Sequence, residues 1–264
     1  MVDAVLLVLR EVLEAALMFS LLLALSRQQH LGSGWWLWAL LMGVAGSWLL
    51  AHYAYAIADA LDGTGQELLN AFLYAMVALC FVVLALLLMP LLWRPGNSSH
   101  HLGLSFLFIV IVSFSLMREV SEIWIYLSSF SLHSDALSSA LIGAVIGTGI
   151  GLSLGAILYY VLVFMRPVFF LPIFLLIAAL LAGGLSMQIA KQLLQIGMLD
   201  SAEPLWDSSF IANEQSWFGE LLYALLGYDA QPTPIQILFY LVAIAPILFA
   251  LIWSAWRLRG KVNA

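Results

Sequence analysis

Charge is scarce in this sequence. Of 264 residues, 9% are charged and only nine are Lys or Arg, and the formal net charge is −6. Proteins that bind nucleic acid need clustered cations for the phosphates, so this balance excludes a nucleic-acid partner. Cysteine is nearly absent as well. The single Cys80 permits no internal disulfide, and its position among Ala, Leu and Phe predicts a core-filling role.

Hydrophobic residues make up 64% of the chain, and the mean hydropathy is +1.05. A helix needs about 20 apolar residues to span a bilayer. Runs of that kind cover 3–25, 35–58, 67–92, 104–130, 137–164, 168–193 and 235–257. They predict one all-α polytopic membrane domain of seven helices over 1–264. No basic segment precedes the first run, so we expect it to be a retained helix rather than a cleaved signal peptide.

The cations predict an orientation, because Lys and Arg concentrate in cytoplasmic loops. They fall in alternate connections and in the tail: Arg27, Arg94, Arg166, Arg257, Arg259 and Lys261. The opposite side receives acidic connections, including the loop at about 198–234, with Lys191 as the basic exception near it. The pattern predicts an outside N-terminus and an inside C-terminus.

One charged pentapeptide occurs twice inside hydrophobic runs, as Arg10-Glu11-Val12-Leu13-Glu14 and as Arg118-Glu119-Val120-Ser121-Glu122. A charge at the bilayer centre costs about 2.5–3.5 kcal/mol on insertion scales. Six such charges must therefore pair with one another, bind something, or do both.

The two copies lie on the first and fourth predicted helices, which cross the membrane in opposite senses. This predicts a 3+3 inverted repeat, with repeat one at about 1–93, repeat two at about 104–193 and a final helix at about 235–257. Transporters of this kind hold substrate near the midplane, where the repeats meet. At 1.5 Å per residue, Glu11 and Glu14 lie roughly 12–17 Å from the outer end of their helix, close to that depth.

Within each copy the two glutamates are spaced i,i+3 and the Arg precedes the second glutamate by four, so all three project from one helical face. Two such faces would gather four carboxylates, a hard oxygen site suited to Mg, Ca, Mn or iron. A purely structural alternative is that each Arg pairs with its own glutamates and the other helix, locking a helix crossing. Four acids against two bases leave an excess of two negative charges, however, which a cation or protons must offset.

Arg-Glu-x-x-Glu in helices one and four resembles the high-affinity iron permeases, the oxidase-dependent iron transporter family of fungi and bacteria. The resemblance extends to Leu205-Trp206-Asp207 and to the stretch from Gly219-Glu220-Leu221-Leu222 to Leu226-Gly227-Tyr228. The family usually has Gly after the first Glu, where this chain has Val12 and Val120.

The resemblance implies that the four glutamates handle iron and that Arg10 and Arg118 support them. It also implies a separate iron oxidase or iron-binding protein on the outer face, and a plasma membrane location of the bacterial inner-membrane type. Iron would be the transported substrate, as Fe²⁺ or Fe³⁺, and no organic cofactor is expected.

Other polar residues are candidates for the pathway or for cation capture: Asp59, Asp62, Glu67, Asp207 and Gln188. For the acidic ones an ordinary solvated surface is the favoured account. Gln188 follows Gly183-Gly184, which predicts either a helix break lining the pathway or close packing. Helix five carries a glycine ladder at four-residue spacing, typical of close helix packing: Gly143, Gly147, Gly151 and Gly155.

Two alternatives remain. One is a transporter for another hard cation such as Mn²⁺, or a proton-coupled carrier. The other is a non-transporting membrane subunit of a redox complex, although the paired histidines or cysteines of such subunits are missing from the runs. No nucleophile and base are placed together, so we expect no enzyme.

Overall fold

A computed structural model describes residues 2–32, 34–92, 101–130, 134–200, 202–210, 216, 219, 222 and 227–262. These residues fold into helices, and no strand occurs among them. The helices, in chain order, are α1 Val2–Gln28, α2 Trp35–His52, α3 Ala54–Asp59, α4 Gly65–Leu88, α5 His101–Ser128, α6 Ser134–Val163, α7 Pro167–Gln195 and α8 Pro234–Val262. The predicted helices one and four are therefore α1 and α5.

Six of these helices are long and apolar enough to cross a membrane: α2, α4, α5, α6, α7 and α8. This is the pattern of a multi-pass membrane protein. The remaining long helix, α1, has 27 residues but carries Arg10, Glu11 and Glu14 within its first half, which sets it apart from the other six.

The predicted helix at 35–58 is broken in the structure. Tyr53 has φ −95° and ψ 11°, outside helical geometry, and it separates α2 from the short α3. A 3₁₀ turn, Ala60–Gly63, then leads into α4, with Leu61, Asp62 and Gly63 all at positive φ. No proline or glycine marks the break at Tyr53, so the uniform hydropathy of this run concealed it.

Small residues bring the helices into contact in pairs. A Cβ added at Gly147 would lie 2.7 Å from the Val5 carbonyl oxygen, and one at Gly155 would lie 2.8 Å from the Ala16 Cβ. Hence α6 runs parallel to α1 at close range. The close packing that the glycine ladder predicted is confirmed, and the structure adds its partner helix. In a second helix pair, the Ser47 hydroxyl of α2 donates to the Leu116 carbonyl of α5 at 2.9 Å.

The core is a continuous apolar cluster between α1, α4, α5 and α7, where Phe81, Phe108 and Phe174 are fully buried. Cys80 lies in this cluster, as expected. Large apolar side chains on α2 and α6 face outwards, among them Trp48 and Val145, which suits a surface in contact with lipid.

Candidate cation site

Arg118 lies among the four motif glutamates. Its Nη2 donates to Glu14 Oε2 at 2.7 Å and to Glu119, and its Nη1 donates to Glu122 Oε1 at 3.3 Å. Glu11 Oε2 lies 3.8 Å from Nη1. One guanidinium therefore contacts carboxylates from both α1 and α5. We call the four carboxylate residues, Glu11, Glu14, Glu119 and Glu122, the glutamate cluster.

Arg10 occupies a different position from Arg118, although the two pentapeptides match. Its Nε lies 3.8 Å from Glu11 Oε1 and 3.5 Å from Glu14 Oε1, both on its own helix. Its side chain is 31% exposed, against 3% for Arg118. The two copies of the motif are thus not equivalent: one Arg is central and the other is peripheral.

The glutamate cluster is deeply buried except at one side. Glu11, Glu14 and Glu119 are each 5% exposed or less, whereas the Glu122 side chain is 28% exposed. Three buried oxygens accept no hydrogen bond: Glu11 Oε2, Glu14 Oε1 and Glu119 Oε2. Two of these oxygens have a guanidinium nitrogen at 3.5–3.8 Å. Burying charged oxygens without hydrogen bonds is nevertheless costly, so these atoms mark a site able to take a further cation or protons.

A cavity of about 1070 Å³ reaches the cluster from one end of the bundle. It touches Arg10, Glu11 and Glu122, and its rim includes Tyr55 and Trp124, which are largely exposed. Its wall carries further polar side chains from α4 and α7: Gln66, Glu67, Asn70, Gln188, Lys191, Gln192 and Gln195. We call this the polar cavity, and the end of the bundle where it opens the cavity end.

Beyond the cluster the helices close. One cavity of about 10 Å³ lies beside Arg118, Tyr74 and Ser115, and another of about 20 Å³ lies beside Glu14 and Gln188. Each has room for about one water molecule. The apolar core lies beyond them, and the large cavity that reaches the glutamate cluster opens at the cavity end.

The structure gathers some of the other predicted residues and leaves others apart. Gln188 and Glu67 line the polar cavity, and Gln188 also lines the small cavity beside Glu14. Asp59, the last residue of α3, and Asp62, in the turn that leads to α4, are exposed and are not among the residues that line the polar cavity. Asp207 is exposed in the α7–α8 loop.

Gly183 and Gly184 break no helix, since α7 is continuous across them. A Cβ at Gly183 would lie 2.8 Å from the Tyr240 ring, which makes this a packing position. Gly184 is met by Gly227 of the α7–α8 loop, where an added Cβ would lie 2.1 Å from the Gly184 Cα. The pair therefore serves close packing rather than unwinding.

The α7–α8 loop is tied to the bundle by hydrogen bonds. Asp229 accepts from Gln236 Nε2 at 3.1 Å and lies 4.0 Å from Lys191 Nζ. Asp207 accepts from the Ser209 hydroxyl and backbone N–H and from Gln231 Nε2. These bonds, those from Ser209 first, lower the pKa of Asp207 below its usual range. Of the loop residues that carry the resemblance, Glu220, Leu221 and Leu226 lie outside the described residues.

Sequence reasoning missed Tyr74 and Asn70. The guanidinium carbon of Arg118 lies 4.4 Å from the centre of the Tyr74 ring, a cation–π distance, and Asn70 Nδ2 donates to Glu122 Oε1 at 3.4 Å. Both belong to α4, four residues apart. A polar Asn and a Tyr on one face of an otherwise apolar helix were the available signal.

Val12 and Val120 stand where the family that the motif resembles usually has Gly, and both lie away from the path between the carboxylates and the polar cavity. A Cβ at Gly151 of α6 would lie 2.8 Å from Val12 Cγ1, so Val12 packs into the space that a glycine leaves on the neighbouring helix. Val120 is 36% exposed. Neither valine lies between the carboxylates and the polar cavity.

Among the described residues no three His, Cys, Asp or Glu side chains form a ready-made metal site. Arg118 stands between the carboxylates instead. Comparison of the chain with protein-family models, with curated proteins and with solved structures finds no match in any of the three. The function must therefore be argued from the glutamate cluster and the cavity that leads to it.

Proposed function

We propose that this protein is an iron permease, which moves Fe²⁺ or Fe³⁺ across the plasma membrane, of the bacterial inner-membrane type, into the cytoplasm through the glutamate cluster. The observation that carries the proposal is the buried charge. Four carboxylates face two guanidinium groups, and three buried carboxylate oxygens accept no hydrogen bond. A cation is the ligand that such an excess of negative charge favours.

The polar cavity supports a pathway to this site. It opens at the end of the bundle where α1 begins and where α5 and α7 end. The distribution of Arg27, Arg166 and the basic tail favours this end as the outer one. A cavity wall of amide and carboxylate oxygens suits a hydrated cation on its way to the carboxylates.

The way the helices pair supports the inverted repeat. In an inverted repeat α1 corresponds to α5, and α2 corresponds to α6. The α1–α6 interface then corresponds to the α2–α5 interface. Both of these interfaces are extensive in the bundle, and both are lined by small residues such as Gly151 and Ser47. With α1 as a seventh span, α8 lies outside the repeat.

Carboxylate oxygens alone also suit Mn²⁺. The choice of iron over other hard cations therefore rests on the resemblance of the doubled motif. The partner that this resemblance implies is a separate iron oxidase or iron-binding protein on the outer face. In the competing redox-subunit function the charged motifs would only organise helices, and the polar cavity at Glu11 and Glu122 would have no role.

The decisive experiment is uptake of radioactive iron into proteoliposomes that hold the purified protein. Iron is offered as Fe²⁺ and as chelated Fe³⁺, with wild type beside the double variant Glu11→Gln/Glu119→Gln, and Mn²⁺ is offered in parallel. We expect uptake of one iron form by wild type and none by the double variant.

Manganese uptake without iron uptake would identify the protein as a transporter of another hard cation. No uptake of any cation by folded wild-type protein, with the implied oxidase or iron-binding protein supplied, would favour the non-transporting function.

A further inference from the structure

Arg118 lies where a cation shared by the two helices would lie. Its guanidinium contacts Glu11 and Glu14 of α1 and Glu119 and Glu122 of α5. It carries one positive charge and is almost fully buried. A metal ion bound by the same four carboxylates would need the same central position.

We propose that Arg118 is a built-in occupant of the cation site: its guanidinium holds the glutamate cluster together when no metal is bound, and it must leave before a metal ion is coordinated. The proposal rests on the proposed function and adds a selectivity device to it. It explains why the described residues hold no ready-made metal site although four carboxylates meet there.

The contrast with Arg10 identifies which arginine has this role. Arg10 lies 3.5–3.8 Å from Glu11 and Glu14 of its own helix and lines the polar cavity. A cation could approach the cluster past Arg10 without replacing it, whereas Arg118 stands between carboxylates of different helices.

The surroundings offer a displaced guanidinium other partners. Tyr74 presents its ring 4.4 Å from the guanidinium carbon and lines both the polar cavity and the small cavity beside Arg118. The Ser115 hydroxyl lines that small cavity too, and it is buried without a hydrogen-bond partner. A short shift of the Arg118 head would keep the ring contact and add a hydroxyl acceptor, while freeing the carboxylates.

The consequence is selectivity by charge. A monovalent ion such as Na⁺ or K⁺ brings no more charge than the guanidinium that it would replace, and it lacks the guanidinium's directed hydrogen bonds. A divalent or trivalent cation brings more charge to the same carboxylates and so displaces Arg118. Arg118 is therefore a specificity-determining residue that rejects the abundant monovalent ions.

Equilibrium binding of Mn²⁺ to purified protein in detergent tests the proposal, with free Mn²⁺ followed by its electron paramagnetic resonance signal. The variants are Arg118→Gln, the matched control Arg10→Gln, and Glu11→Gln/Glu119→Gln. Each is measured in choline chloride and again with NaCl at the same ionic strength. We expect R118Q to bind Mn²⁺ about tenfold tighter than wild type, within the range of about 5–150-fold that is typical when two ligands are coupled.

Two comparisons accompany that result. R10Q is expected to tighten Mn²⁺ binding several-fold less than R118Q does. Na⁺ is expected to compete with Mn²⁺ in R118Q and not in wild type. Arg118→Lys supplies a second variant should R118Q misfold: its ammonium cannot contact four carboxylates through a planar fork, so binding intermediate between wild type and R118Q is expected.

The outcomes separate the two levels of the argument. Mn²⁺ binding to wild type that depends on Glu11 and Glu119, with binding to R118Q and R118K no tighter, would overturn the occupancy proposal alone. Equal tightening in R10Q and R118Q would also overturn it, since removal of any nearby charge would then suffice. Binding to none of the folded proteins would overturn the cation site itself, and the proposed function with it.

Discussion

Arg118 Nη2 and Glu14 Oε2 are joined by a 2.7 Å hydrogen bond across 104 positions of the chain. The bond connects α5 to α1 in a region where both side chains are buried. Charge-assisted bonds of this kind are shorter and stronger than neutral ones. The site is therefore complete only when both copies of the pentapeptide are in place.

Glu14→Gln and Glu122→Gln are each expected to reduce iron uptake to background while the protein still folds and inserts. A neutral amide keeps the shape of the carboxylate but removes the charge that a metal ion needs. Uptake into proteoliposomes measures the effect. Asp62→Asn is the matched control, because Asp62 is exposed and outside the polar cavity, and its uptake should equal that of wild type. Normal uptake by either glutamate variant would contradict the four-carboxylate site.

Arg10→Lys is expected to impair uptake, because a point ammonium cannot reproduce the forked geometry of the guanidinium beside Glu11 and Glu14. Arg118→Lys should impair uptake more severely, since Arg118 contacts all four glutamates. Initial uptake rates of the two variants, normalised to protein in the liposomes, give the comparison. Full activity in R10K would show that Arg10 contributes only its positive charge and that its forked geometry is not needed.

Gly147→Val is expected to destabilise the bundle by about 1–3 kcal/mol, the usual range for overpacking. A Cβ there would lie 2.7 Å from the Val5 carbonyl oxygen and 2.8 Å from the Leu9 nitrogen, so α1 and α6 must separate. Gly149→Val on the same helix is the control, since nothing lies within 4 Å of its added Cβ. Thermal unfolding in detergent should show a lower midpoint for G147V only. Equal midpoints would argue against the α1–α6 contact.

Gly227→Ala is expected to cost more stability than Gly197→Ala. Both glycines have positive φ, 65° and 70°, so alanine brings backbone strain of about 1–2 kcal/mol at either position. Only at Gly227 would the new Cβ also meet backbone, 2.1 Å from the Gly184 Cα. The difference between the two midpoints of thermal unfolding measures the effect of this contact. Equal midpoints would contradict the close contact between Gly227 and Gly184.

Acid is expected to loosen the α7–α8 loop through Asp207. Its pKa is lowered in the folded loop, so the stabilisation is present above the ordinary Asp pKa of about 3.9 and is lost as the pH falls through the lower folded value. The measurement is the rate of pepsin cleavage in the loop, for wild type and for Asp207→Asn at each pH. Dividing the wild-type rate by the variant rate cancels the pH dependence of pepsin itself. The ratio should rise as the pH is lowered. A constant ratio would show that the Ser209 and Gln231 bonds do not order the loop.

The sequence predicts much of this architecture because hydropathy and motif spacing are local properties. Hydrophobic runs locate the long helices, and the i,i+3 and i,i+4 spacing within each pentapeptide places its charges on one face. The prediction that both sets of glutamates meet agrees with the contacts of Arg118. The glycine ladder likewise predicts the packing of α6 that Gly147 and Gly151 display.

Other features depend on tertiary contacts that no local pattern encodes. Arg10 and Arg118 stand in nearly identical pentapeptides, so their different burial is decided by the neighbouring helices. Tyr53 ends α2 without a proline or glycine to signal it. The meeting of Gly227 with Gly184 joins a loop to the middle of a helix, and only the folded chain brings those two backbones together.

The polar cavity also determines where a membrane voltage would act. A solvent-accessible cavity stays close to the electrical potential of the solution it opens to, so little voltage falls between that solution and Glu11. The potential drops instead across the apolar core around Phe81, Phe108 and Phe174. Each charge that crosses the full potential gains about 2.3 kcal/mol per 100 mV. In the proposed permease, cation binding from the cavity end would thus be nearly independent of voltage, and passage from the glutamates through the apolar core would carry almost the whole electrical driving force.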